Sequence, residues 1–411
     1  MEQEYNHSTI TATSSQPVAA PLPENRRNGF GRIVLILLAA LSIAGGLWMG
    51  ATEAGRDFAE TVPGAARTLL TLKKDPDLLF DNVHSNRVNI LLVGEDYNWT
   101  IKPVFNPRTG KSAPFQVIDK NAPPRSDTMI VFTFDREKRT ARMVSLPRDA
   151  RVTYTDLAGD SHHNRKLNAV YASGGKDPQQ RQLLLKRFLR EEFGLRIDRV
   201  AVIKPNSFKK LVEMAGGVYV KVDGALEINR RTGKRERGPI HYKDSWGQWE
   251  INLKPGSQWL NGEQAHGYVR FRKDDEGDPG RIRRQQAVMK ALAKRLMEKP
   301  FWQIPGLVKQ IRREFRTDMS DDELGSAALF AKNLGSAEQI QPLTLFGRYA
   351  SDGDIVLNRP KNQKLLAHLF GDSFSEDSFL RESSWTRRDD IGPANNASPG
   401  VKALLKEAGI E

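Results

Sequence analysis

From Ile33 to Thr52 the chain carries no charged side chain, and Ile33–Gly50 reads IVLILLAALSIAGGLWMG. At about 1.5 Å per helical residue, some eighteen to twenty such residues cross a hydrocarbon core of roughly 30 Å. The run is longer than the apolar stretch of a signal peptide, and no clear small-x-small cleavage site follows it. Arg26, Arg27 and Arg32 lie just before it, so the positive-inside rule leaves the N-terminus in the cytoplasm. The expectation is a single-pass cell-membrane protein with everything after about residue 53 held outside the cytoplasm.

That topology bears on the charge. The 411 residues carry a formal net charge of +13, which points to anionic partners: nucleic acid, lipid head groups or phosphorylated substrates. A basic domain facing away from the cytoplasm does not meet nucleic acid, which leaves membrane lipid and phosphorylated substrates. There are no cysteines, which excludes disulfides, thiolate metal sites and a cysteine nucleophile.

Five segments are expected. Residues 1–32 form a polar cytoplasmic tail, 33–52 the membrane helix, 53–87 a stalk, 88–370 a globular catalytic domain and 371–411 a polar tail in which only Val401–Ala408 looks helical. Within the domain, NILLVG at Asn89–Gly94 is a short apolar run of the kind that forms a buried strand. Residues 98–124 hold five prolines and read as a long irregular loop. Thr128–Phe134 and Ala141–Leu146 are strands, Gln179–Phe193 a helix stopped by Gly194, Val200–Ile203 a strand and Ser207–Ala215 a helix. A strand at Val218–Val222 and a helix at about Arg281–Met297 follow. Ser320 and Glu323 make a capping box for a helix running to Asn333, and Leu343–Leu357 reads as a hairpin. Strands alternating with helices give an α/β fold, an α-β-α sandwich with the sheet covered by helices.

Charged residues cluster at the expected strand ends, where loops can aim them into a shared cleft. Asp96 follows the first strand, Arg125 and Asp127 precede the next, and Arg148 and Asp149 follow the third. The densest cluster runs from Tyr268 to Gln286, with Arg270, Arg272, Asp278, Arg281, Arg283 and Arg284. Arginine recognises phosphate bidentately, and a helix opening at Pro279–Arg281 adds N–H donors for an anion. Carboxylates at Asp96 and Asp127 suit Mg²⁺, which is commonly held by one or two acids plus substrate phosphates. The ensemble describes a diphosphate site. Taken singly, such clusters are more often solvated ion pairs. His162 and His163 lack metal-ligand spacing and read as loop; Trp246, Trp249 and Trp259 read as core or rim. No phosphate loop, dinucleotide fingerprint, HExxH or GxSxG context is present.

In order, these pieces resemble the LytR-CpsA-Psr family of envelope phosphotransferases over about Asn89–Ala291. The resemblance is carried by NILLVGED at Asn89–Asp96, RSDTMIVF at Arg125–Phe132, VSLPRD at Val144–Asp149 and KLNAVYASGG at Lys166–Gly175. It continues with FKKLVEMAGGV at Phe208–Val218, LNGEQAHGYVRFRKDDEGDPGRIRRQQ at Leu260–Gln286 and KALAKRL at Lys290–Leu296. The resemblance implies transfer of a glycan phosphate from a polyprenyl-diphosphate carrier to a peptidoglycan hydroxyl, releasing polyprenyl phosphate. Asp96 and Asp127 become ligands of Mg²⁺ (or Mn²⁺). Arg125, Arg148, Arg270, Arg272, Arg281 and Arg284 become pyrophosphate contacts. Arg148, Asp149 and Asp278 form the catalytic set, with either acid as base or orienting partner. The chain departs from the family pattern at Asn98, where an arginine is usual, and in its longer segment between Asp96 and Asp127. Rival readings are a non-catalytic factor that holds polyprenyl phosphate and a membrane-bound transcriptional attenuator.

Overall fold

The computed structural model describes Phe80, Val83 and residues 85–410, apart from 107–109, 120, 244–249, 301–302, 335, 377–390 and 393–397. The expected cytoplasmic tail, membrane helix and nearly all of the stalk lie outside the described residues, as do Trp246 and Trp249. Among the described residues no helix is long and apolar enough to cross a membrane.

The chain proceeds through β1 (Arg87–Asp96), β2 (Trp99–Asn106), β3 (Lys111–Ile118), β4 (Arg125–Asp135) and β5 (Thr140–Ser145). Then come β6 (Arg151–Thr155), β7 (Ser161–Lys166), α1 (Leu167–Ser173), α2 (Pro178–Phe193), β8 (Arg199–Ile203) and α3 (Pro205–Met214). Beyond three short two-stranded pairs lie α4 (Gly262–Arg270) and α5 (Gly277–Glu298). One mixed sheet of six strands carries the domain, in the order Phe315–Thr317, β8, β1, β4, β5, Ile340–Thr344. β8 runs parallel to β1 and Ile340–Thr344 parallel to β5, while the β1–β4 and β4–β5 pairs are antiparallel.

Alternation along these strands divides two cores. Ile90, Leu92, Ile130, Met143 and Ala201 face helices α3, α4 and α5, where Val212, Ala265, Val288 and Leu292 meet them. Leu91, Val93, Met129, Val131 and Val202 face the opposite layer, built on Leu167, Tyr171, Leu184 and Phe188 of α1 and α2. Successive strand side chains point to opposite faces, so a sheet buried on both faces reads as an unbroken apolar run. The expected sandwich is present in its mixed-sheet form.

Three expectations need correction. Residues 98–124 are not irregular: β2 and β3 pair as an antiparallel hairpin from Trp99↔Ile118 to Asn106↔Lys111. The hairpin expected at Leu343–Leu357 splits, because Ile340–Thr344 joins the main sheet and only Gly347–Tyr349 pairs with Ile355–Leu357. The C-terminal segment is not merely a polar tail. Its helix Pro399–Glu407 buries Val401, Leu404 and Leu405 in the second core, so the apolar side of one short helix outweighs the polar residues around it.

Candidate functional site

The site forms where β1 and β4 end. Gly94 pairs with Thr128 and Glu95 with Ser126, so Asp127 is an extra residue without a partner in the ladder. Such a bulge bends the strand and re-aims a side chain. Here it brings Asp127 to the same cavity as Asp96. Asp127 Oδ2 accepts a 2.7 Å bond from Arg148 Nη1, and Arg270 Nη2 lies 3.1 Å from Asp96 Oδ2. Arg148 stands in the turn after β5. Its carbonyl accepts from Asn168 N at 3.0 Å, which ties the turn to the start of α1.

Arg270 closes α4 and Arg281 opens α5. One ridge of α5, Arg281–Gln285–Met289, descends into the cavity from charged to apolar, and Gln285 Nε2 donates to Thr128 Oγ1 at 3.0 Å. Arg281 is buried against Asp278, one turn earlier, at 2.7 Å.

The cavity holds about 880 Å³. Arg125, Arg148, Arg270, Arg272 and Arg281 line one part of it, with Asp96, Asp127, Asp149 and Lys166. Ile90, Leu92, Ile130, Phe132, Phe208 and Leu211 are among its apolar walls. Burial, and secondarily the charge of Asp127, raises the Asp96 carboxyl above its ordinary range against the pull of Arg270. Burial also pushes Asp149 upward, but Arg148, Lys166 and Arg281 together hold it below the carboxylate range. His266 is buried in the wall and pulled down to about 3, by burial first and then by Arg270 and Lys209, so it is neutral.

Five of the six expected arginine contacts and both expected metal ligands therefore line one cavity. Arg284 does not. Its side chain is fully buried outside the cavity wall, ion-paired to Asp274 and donating to the Phe271 carbonyl at 3.2 Å. It is a brace between α5 and the preceding loop, not a diphosphate contact. Asp278 is ion-paired with Arg281 and is absent from the cavity lining. Arg283 reaches Asp223 and Glu276 and remains half exposed, away from the cavity.

Lys166 and Glu95 are among the lining residues that escaped sequence reasoning. Lys166 Nζ lies 3.0 Å from Asp149 Oδ1; it opens KLNAVYASGG, and a lysine at a strand–helix junction was the available signal. Glu95 accepts from Tyr171 Oη at 2.7 Å and Arg181 Nη2 at 3.1 Å. A second acid beside Asp96 was its only trace. His162 and His163 stand on β7 rather than in a loop; His162 is 2.9 Å from Asp156 and stacks on Tyr154. Trp259 is at the surface, with Arg295 over its ring. Among the described residues no group of three or more His, Cys, Asp or Glu is placed to hold a metal ion by itself.

The LytR_cpsA_psr family model matches residues 63–368. The chain belongs to that family. It is 33% identical over 196 residues to TagV of Bacillus subtilis, named a polyisoprenyl-teichoic acid–peptidoglycan teichoic acid transferase, covering 45% of this chain and 44% of that protein. It is 30% identical over 208 residues to the regulatory protein MsrR of Staphylococcus aureus, covering 50% of this chain and 54% of that protein. The match thus spans about half the length of each of these relatives. A crystal structure from Streptococcus agalactiae superposes with a TM-score of 0.53 at 22% identity, covering 75% of this chain and 94% of that one, and shares the fold.

Proposed function

We propose that this protein transfers a glycan phosphate from a polyprenyl-diphosphate carrier to a peptidoglycan hydroxyl, as the name of its Bacillus relative suggests for that protein. The carrying observation is a single cavity with two chemistries. Five arginines suit a diphosphate at one part, and continuous apolar walls suit a prenyl chain at the other. An acceptor oxygen bonds to the glycan-bearing phosphorus as the bond from that phosphorus to the bridging oxygen breaks. Polyprenyl phosphate leaves with the electron pair, and the acceptor proton passes to a carboxylate. Asp149, held ionised in the lining, is our candidate for that acceptor. Arg148 and Arg281, aimed by Asp127 and Asp278, grip the charge that develops on the leaving phosphate.

The residues also fit a divalent cation. Asp96 and Asp127 share the cavity, and the Asp127 charge opposes ionisation of Asp96, a repulsion that a cation relieves. Asp96 and Asp127 would hold a Mg²⁺ or Mn²⁺ ion there, together with substrate phosphate. Its contribution is Lewis-acid neutralisation of diphosphate oxygens. The N-terminal apolar run in the sequence supports a domain held outside the cytoplasm, with membrane lipid as its neighbour.

Full-length protein given a labelled lipid-linked glycan and peptidoglycan should release polyprenyl phosphate only when both substrates are present. Tight retention of the lipid with no release under any divalent cation favours the reading of a non-catalytic carrier-binding factor.

A further inference from the structure

The β2–β3 hairpin departs from the fold around it. It forms a two-stranded sheet that joins no other strand among the described residues, although isolated two-stranded ribbons are marginal in water. Its exposed side chains are the wrong ones for water. Ile101 is 72% exposed, and Ile118 and Tyr97 are 39% and 40% exposed. Register places Ile101 opposite Gln116 and Ile118 opposite Trp99, so the two isoleucines are diagonal neighbours on one face. Lys102 occupies the other face and is exposed. Between Tyr97 and Asn121 the sequence has Lys102, Arg108, Lys111 and Lys120 against Asp119 alone. One face of the ribbon thus shows exposed Ile101 and Ile118, the other exposed Lys102, and the segment's sequence is net positive.

Its edges turn away one class of partner. Pro103 and Pro114 stand opposite each other, and proline cannot donate to a ladder. Neither strand offers an unbroken row of donors for an added strand, so the ribbon is suited to present a face rather than an edge. Its root is fastened to the cavity. Tyr97, Asn98 and Arg125 all line it. Asn98 carbonyl accepts from Asp119 N at 2.8 Å, and Asn98 Nδ2 donates to the Pro123 carbonyl. Asn98 thus closes the neck of the hairpin.

We propose that the β2–β3 hairpin docks in the interfacial layer of an anionic bilayer, with Ile101 and Ile118 among the upper acyl chains and Lys102 toward anionic head groups. Apolar side chains backed by basic residues are the composition that lies in such an interface. A hairpin rooted at the cavity and dipped in the bilayer gives a prenyl chain a route between the two. That last consequence rests on the proposed substrate; the docking itself does not.

The absence of cysteine makes the test clean. Ile101→Cys and, as a control, Leu183→Cys, which replaces an exposed apolar residue on α2, each carry a polarity-sensitive dye on otherwise full-length protein. The proteins are reconstituted in vesicles of phosphatidylglycerol and phosphatidylcholine. We expect a blue shift at position 101 and at least twofold quenching by lipids with a shallow spin label, lost in phosphatidylcholine alone or with Lys102→Glu. Position 183 should stay aqueous. Equal aqueous signals at both positions overturn the proposal, as does a shift at 101 seen only on adding peptidoglycan fragments, which assigns the face to glycan. Quenching at 101 without any transferase activity leaves docking intact and counts against the proposed reaction alone.

Discussion

Arg284 separates a site residue from a structural one. Replacing it by methionine keeps the length of the side chain and removes the guanidinium. Asp274, whose carboxylate has no solvent exposure, then stays buried without its partner, and the Phe271 carbonyl loses a donor. Breaking a buried pair by removing one member costs about 3–5 kcal/mol. With an unfolding entropy of about 2.1 cal/mol/K per residue, a domain this large should lose roughly 4–8 °C in Tm. Transfer at temperatures well below the new Tm should stay within about threefold of wild type, since nothing in the cavity lining changes. Thermal unfolding followed by fluorescence, paired with release of labelled polyprenyl phosphate, reads both quantities on one preparation. An unchanged Tm with transfer abolished refutes the bracing role and returns Arg284 to the diphosphate.

The lining arginines should behave in the opposite way. Arg148→Lys and Arg281→Lys keep charge but lose the planar fork, and a lost charge-assisted contact of about 1.5–3 kcal/mol lowers transfer roughly ten- to a hundredfold. Arg283→Lys, which alters a half-exposed pair outside the cavity, should change transfer less than twofold in the same assay. Asp96→Asn or Asp127→Asn should abolish transfer that a chelator also abolishes, with Tm little altered; transfer indifferent to chelator sinks the metal assignment. His266 gives a pH signature. It is neutral in the fold down to about pH 3 while the unfolded chain takes up its proton near 6.5, so the unfolded state binds more protons in between. Stability should be full above about pH 6.5 and fall as pH drops toward 3, and His266→Gln should flatten that slope in acid denaturation series.

The sheet was legible because its central strands are short apolar runs at 89–94, 128–134, 141–146 and 200–203, and apolar continuity is the mark of strands buried on both faces. The hairpin at 99–118 was not, since its prolines argue for loop. Proline is tolerated there because, among the described residues, no third strand asks for the missing N–H. Strand-end charges located the cavity, but they could not sort its arginines. Residue type is the same at 281 and 284; what separates them is the ridge they occupy on α5. Arg281, Gln285 and Met289 follow one four-residue row into the cavity, and Arg284 and Val288 the next, into protein. The bulge at Asp127 depends on register between two strands, which no single segment encodes.

The alternation of the central sheet also has a bearing on how specificity can drift. Ile90, Leu92, Ile130, Phe132, Ala201 and Ile203 form one bank of the cavity, while their immediate neighbours Leu91, Val93, Met129, Val131, Val200 and Val202 are locked into the far core. Every second residue of three strands can therefore change the bore at the cost of the first core alone, leaving the second core intact. A lineage that met a carrier of different chain length or saturation could refit the tunnel by single substitutions at alternate positions. The arginines, set largely on turns and helix ends instead, would stay where they are, so the apolar and charged parts of the cavity are free to evolve at different rates.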